Sequence, residues 1–167
     1  MEVMGIVGWS GSGKTSLLVQ LLPLLTARGL KVSTMKHAHH RFDLDTRGKD
    51  SFQHREAGAS EVLVVTAARW VLMHESRTEA EPAIEELIQR MTAVDLLLIE
   101  GFKTHPHPKL EIHRASEGKP LLCLDDPHIV ALAVDQPVAG VTLPQLDLND
   151  PPAIVEFILA HTGLAGR

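Results

Sequence analysis

The 167 residues include a single cysteine, Cys123, so no internal disulfide can form. Its place in the apolar run Leu121-Leu122-Cys123-Leu124 fits a small buried hydrophobe better than a reactive thiol. Excess positive charge is missing as well. The formal net charge is −5, which argues against non-specific binding to nucleic acid. No apolar stretch approaches the ~20 residues that a membrane span requires. The first strand reads from the opening methionine, which leaves no room for a secretory signal. Together these absences predict a soluble, cytoplasmic protein with neither a nucleic-acid nor a membrane partner. Repeats, low-complexity segments and linkers are lacking too. What remains, 44% hydrophobic and 22% charged residues, is the composition of a globular chain, expected to form one domain over residues 1–167.

The most informative stretch comes first. Met4-Gly5-Ile6-Val7 reads as a short buried strand, Gly8-Trp9-Ser10-Gly11-Ser12-Gly13-Lys14-Thr15 follows, and Ser16 to Leu25 is apolar at helical spacing. This is G-x-x-x-x-G-K-[ST] between a strand and a helix, the context in which the motif cradles phosphates. Glycine at 8, 11 and 13 lets the backbone turn sharply and aim its N–H groups at an anion. The helix N-terminus adds free donors and a positive dipole end. In this reading Gly11, Ser12, Gly13, Lys14, Thr15 and Ser16 bind the nucleotide. Lys14 supplies a charge to the β- and γ-phosphates, and Thr15 offers a hydroxyl to Mg²⁺.

Further along, a first helix is expected over residues 13–28, with Pro23 kinking it or ending its regular part early. A strand over 31–36 leads into a polar loop over 37–45. A short helix capped by Asp50 or Ser51 runs to Ala57. Residues 61–66 and 69–74 form a hairpin or neighbouring strands. A helix over 78–91 has Pro82 near its first turn. The continuous apolar run 95–100 suits a strand buried on both faces, as in a parallel sheet. Strands are also expected over 110–113, 119–124 and 129–134. A last helix has Asp150 as its cap, Pro151 at its first position and Gly163 at its end. The order predicts an α/β protein of the P-loop NTPase type, three layers with a mainly parallel central sheet flanked by helices, its ligand at the carboxyl ends of the strands.

Three strand ends offer further chemistry. Glu100, followed by Gly101, suits a carboxylate delivered to Mg²⁺, a catalytic role shared with Lys14; Asp95 marks the start of the same strand. Lys36, leaving a strand beside the phosphate loop, suits a phosphate contact, with His37 next to it. Asp135 is the carboxylate placed to read a guanine, in the absence of the Asn/Thr-Lys-x-Asp pattern; the alternative is a turn acid ahead of Pro137. Asp43, Asp45 and Asp50 suit either a water-mediated Mg²⁺ contact or plain surface acids. Ten histidines occur. His37, His39 and His40, and His105 and His107, follow two strand ends, either as polar loop residues or as a transition-metal site, though without a fixed ligand spacing.

The phosphate loop, Lys36-His37-Ala38-His39-His40, Gly48-Lys49-Asp50-Ser51, Ala57-Gly58-Ala59 and Leu98-Ile99-Glu100-Gly101-Phe102-Lys103 together resemble the molybdopterin-guanine dinucleotide biosynthesis adaptor family, MobB. Ala131 to Asp135 and Asp147 to Asp150 resemble it as well, so the likeness spans nearly the whole chain. The resemblance implies binding of GTP with Mg²⁺, GTPase activity that is weak at most, and a homodimer. It also implies partnership with the guanylyltransferase MobA and with molybdopterin or its guanine dinucleotide. The segment His105-Pro106-His107-Pro108 is not among the stretches that carry the resemblance. Two other classes share the P-loop: a nickel metallochaperone-type GTPase, favoured by the histidine loops, and a small-molecule kinase, for which Arg41, Arg47 and Arg55 are too scattered to form a lid.

Overall fold

A computed structural model describes residues 1–38, 44–78 and 80–166. The elements in chain order are β1 (Glu2–Val7), α1 (Lys14–Thr26), β2 (Val32–Lys36), α2 (Asp50–Glu56), β3 (Glu61–Val65), β4 (Trp70–His74), α3 (Ile84–Arg90), β5 (Leu96–Glu100), β6 (Lys109–His113), β7 (Ile129–Val134), β8 (Gln145–Asp147) and α4 (Pro151–His161). They fall into two compact units, Met1–His37 with Thr92–Arg167, and Ala38–Met91.

The larger unit is a six-stranded sheet in the order β2-β5-β1-β6-β7-β8, every pair parallel. The alternation of side chains along each strand divides the sheet into two faces. Met4, Ile6, Leu96, Leu98, Leu110, Ile112, Ala131 and Ala133 cluster with Leu17, Leu21 and Leu25 of α1 and with Ile154, Val155 and Ile158 of α4. These helices cover that face because their leucines and isoleucines recur at helical spacing. Asp150 caps α4 as expected, its side chain accepting from the Ala153 N–H, with Pro151 next. α1 continues through Pro23 to Thr26, so of the two outcomes expected there, a kink or an early end, the early end does not occur.

The opposite face is polar at its centre. Lys109 and Glu111, alternating with Leu110 and Ile112, are fully buried. Lys109 Nζ donates to Asp126 Oδ2 at 2.5 Å and to the Lys103 carbonyl at 2.7 Å. The Glu111 carboxylate accepts the N–H groups of Leu122 and Cys123 at 2.8 and 2.9 Å. Buried charge survives only when paired and hydrogen-bonded in this way. Here the pairing also fastens the β6–β7 connection over the sheet. It accounts for one corrected expectation: residues 119–124 form no strand, being irregular chain that enters a turn at Cys123, because the donors a ladder would use at Leu122 and Cys123 go to Glu111. Burial, with the charge of Glu111 beside it, pushes the Cys123 thiol up to about 11, so it stays protonated and unreactive at neutral pH.

In the smaller unit β3 and β4 form an antiparallel hairpin. α2 begins after Lys49, without a side-chain cap; Asp50 lies in its first turn, and the Ser51 hydroxyl donates to Asp45 at 2.8 Å. The helix expected over 78–91 is confined to Ile84–Arg90, with Pro82 ahead of it in extended chain. No strand was expected at β8, which is three residues long and follows Pro144, too short for any periodicity to register.

Candidate functional site

β1 ends at Val7 and the chain turns at Gly8. A side chain there would stand 2.6 Å from Ser12 Oγ and 2.7 Å from the Ile112 carbonyl, at φ +151°, so only glycine fits. Gly11 and Gly13 also take positive φ, and α1 starts directly at Lys14. The Lys14 ammonium reaches back over the loop, donating to the carbonyls of Trp9 at 2.8 Å and Gly8 at 3.2 Å. Two of its three N–H bonds thus brace the loop, leaving one for an anion. Burial lowers its pKa from the ordinary lysine value; Glu100 pulls it upward, while the charges of Lys103 and Lys36 push it further down. Ser12 Oγ is buried with no hydrogen-bond partner among the described residues. Ser16 is exposed on the first turn of α1.

β5 lies beside β1, in register from Glu2 opposite Leu96 to Ile6 opposite Glu100, which brings Glu100 to the same sheet end as the loop. The Thr15 hydroxyl donates to the Glu100 carboxylate oxygens at 3.0 and 3.1 Å. Lys36, at the end of β2, pairs with Glu100 at 3.1 Å. Two hard oxygen donors side by side, one hydroxyl and one carboxylate, suit Mg²⁺, which takes few protein ligands and fills its octahedron with phosphate oxygens and water. After Glu100 the backbone enters the left-handed region twice, at Gly101 (φ +98°) and at Phe102 (φ +49°). Phe102 is the one non-glycine residue so placed among those described, a strained conformation typical of functional turns. A side chain at Gly101 would lie 3.0 Å from His37 Cβ, and the His37 ring stacks on Phe102 at 4.4 Å between centroids.

Asp95 accepts the Lys31 N–H at 2.8 Å and so ties the starts of β2 and β5 together, as expected. Asp135, at the end of β7, spends one oxygen on the Ala115 N–H at 2.9 Å. Asp45 is taken up by Ser51, Thr46 and Arg55 within the smaller unit, and Asp43, His39, His40 and Arg41 lie outside the described residues. His105 packs edge-on against Phe102, whereas His107 turns beneath β1, its Nε2 2.6 Å from where a Gly5 side chain would begin. Among the described residues no three His, Cys, Asp or Glu side chains converge as metal ligands.

Residues 3–135 match the family of molybdopterin guanine dinucleotide synthesis protein B, MobB. The chain belongs to the MobB family. It is 42% identical over 160 residues to a molybdopterin-guanine dinucleotide biosynthesis adapter protein of Haemophilus influenzae, covering 95% of this chain and 88% of that one. It is 38% identical over 162 residues to the protein of the same description from Escherichia coli, covering 95% and 92%. Among solved structures, Bacillus subtilis MobB superposes with a TM-score of 0.73 at 27% identity over 97% of this chain and 98% of that chain.

Several residues around this loop of the MobB-family chain escape a reading of motifs. Lys103 places its ammonium over the Trp9 ring, 4.5 Å from the centroid, and Trp9 Nε1 donates to the Pro120 carbonyl at 2.7 Å. Arg114 donates from Nε to the Ser12 carbonyl at 3.1 Å, and Glu117 lies 3.7 Å from where a Gly11 side chain would begin. Arg114 directly follows an expected strand, and Glu100 ends one. The signal was present, but its value depends on β6 lying beside β1, which sequence order does not reveal. No described helix is long and apolar enough to cross a membrane.

Proposed function

We propose that this chain is a nucleotide-reading adapter in molybdopterin guanine dinucleotide biosynthesis, acting in the cytoplasm beside the guanylyltransferase MobA. It binds GTP through Gly11, Ser12, Gly13, Lys14, Thr15 and Ser16, with Lys36 and His37 facing the terminal phosphate and the free side of Asp135 available to the base. Thr15 and Glu100 would hold Mg²⁺, which neutralises phosphate charge when bound. Hydrolysis of GTP is weak at most. Family membership supports the pathway, and one observation carries the nucleotide reading: the Lys14 brace sits beside the Thr15–Glu100 pair at one sheet end.

The protein works as a homodimer. In the hairpin Leu63 lies opposite Leu72 and Val65 opposite Trp70, so the four share one face, and they are 60%, 48%, 67% and 66% exposed. An exposed apolar face on a two-stranded ribbon calls for a covering surface, and a second copy supplies one. The nucleotide reading is tested with Lys14→Ala, titrated calorimetrically with Mg²⁺-GTP. Binding should fall below detection while the thermal midpoint holds, since the lost hydrogen bonds are offset by relief of a burial cost that already lowers the Lys14 pKa. Undiminished affinity would exclude this site as the nucleotide site.

A further inference from the structure

We propose that Arg114 is a nucleotide-binding residue, clamping the phosphate chain from the flank of the loop opposite Glu100, and that Asp135 is the positioning residue for the turn that carries it. The inference rests on the nucleotide reading above. β1 has β5 on one side and β6 on the other. Glu100, Thr15 and Lys36 gather on the β5 side, where the metal and the terminal phosphate belong. Arg114 leaves the end of β6 and lays its guanidinium against the loop. Nε holds the Ser12 carbonyl, and Nη2 lies 3.3 Å from where a side chain on Gly13 would begin. Glycine at 13 is favoured by its positive φ of +96°, and it leaves the guanidinium room to lie close against the loop.

No carboxylate among the described residues pairs with Arg114, and its Nη donors have no partner there. A guanidinium carries five donors in a fixed fork and is weakly hydrated, suited to phosphate. That of Arg114 stands at the N-terminus of α1, whose dipole end is positive, and Lys14, at that same helix start, already has Lys103 and Lys36 among its charged neighbours, with Glu117 and Glu100 the opposing acids. Cations gathered at a helix N-terminus are stabilised by an anion between them. On the β6 side of the loop, that anion is the inner part of a nucleotide's phosphate chain, the α- and β-phosphates. Asp135, by accepting the Ala115 N–H, pins the residue after Arg114 and a short 3₁₀ turn, Ala115–Glu117.

The test compares wild type, Arg114→Ala and Arg114→Lys by calorimetric titration with Mg²⁺-GTP and Mg²⁺-GDP. Melting and hydrogen exchange over residues 8–15 are recorded without nucleotide. Arg114→Ala should weaken both nucleotides by tenfold or more, leaving the GTP-to-GDP affinity ratio, the melting midpoint and the loop exchange unchanged. Arg114→Lys should recover part of the loss at low ionic strength. Affinities of Arg114→Ala within twofold of wild type would overturn the assignment. So would a loss that Lys does not relieve and that comes with faster exchange of the loop, which marks a structural strut. Failure of the wild type itself to bind either nucleotide would instead bring down the nucleotide reading.

Discussion

Replacing Glu100 with glutamine separates the metal from the phosphates. The amide keeps the shape of the side chain and an acceptor for the Thr15 hydroxyl, which bonds the carboxylate at 3.0 and 3.1 Å, but it removes the charge. Two effects of opposite sign follow. A carboxylate and a phosphate charge about 4 Å apart repel by roughly 4 kcal/mol at an effective dielectric of about 20. Solvent, salt and the nearby lysines reduce this to about 1 kcal/mol. GTP without metal should therefore bind the variant about fivefold more tightly. With Mg²⁺ the order reverses. Losing a charged ligand should cut the gain in affinity that Mg²⁺ confers by at least about tenfold, or about 1.4 kcal/mol. The ion pair with Lys36 at 3.1 Å is also lost, but that lysine is 59% exposed, so stability should change by less than about 1 kcal/mol. Calorimetric titrations with GTP in chelator and in excess Mg²⁺ give both affinities. A Mg²⁺ gain of wild-type size in Glu100→Gln would show that Glu100 does not contact the metal.

Two other expectations concern stability and assembly. Burial, with the charge of Lys109 adding to it, lowers the His107 pKa to about 4, and neither ring nitrogen has a hydrogen-bond partner among the described residues. Between about pH 6.5 and 4 the unfolded chain therefore binds the extra proton, and stability falls as pH falls through that window. The full shift is worth about 3 kcal/mol, and solvent access to the ring reduces it to about 1–2 kcal/mol. Urea unfolding at a series of pH values should show this slope in wild type and a flatter one in His107→Leu. In the hairpin, Trp70→Lys places a charge on the face shared with Val65 and should weaken self-association by tenfold or more, read by sedimentation velocity, without lowering the melting point of the larger unit. An unchanged association constant would move the dimer surface elsewhere.

Much of the fold was legible because its signals are local. The glycines of the phosphate loop, the leucines of α1 at helical spacing and the Asp150-Pro151 start of α4 each act within a few residues, and the structure places them as their chemistry requires. The continuous apolar run of β5 announced burial on both faces, and all five of its residues are buried. What was misjudged depended on distant partners. Residues 119–124 look like a strand until Glu111, from another strand, claims two of their backbone donors. The strand expected over 110–113 is present, but it begins one residue earlier, at Lys109, whose ammonium is received by Asp126 and the Lys103 carbonyl.

The site divides along the same line. Sequence alone marked out the loop proposed to hold phosphates, because it is a contiguous backbone turn whose φ angles demand glycine and whose donors come from one helix start. Tertiary structure decided what surrounds the cradle. Glu100, Lys36, Arg114 and Asp135 stand at the ends of four different strands, and they come to one sheet end only because the chain orders its sheet β2-β5-β1-β6-β7. That order depends on how apolar faces of separated segments pack together, and no short stretch of sequence contains it.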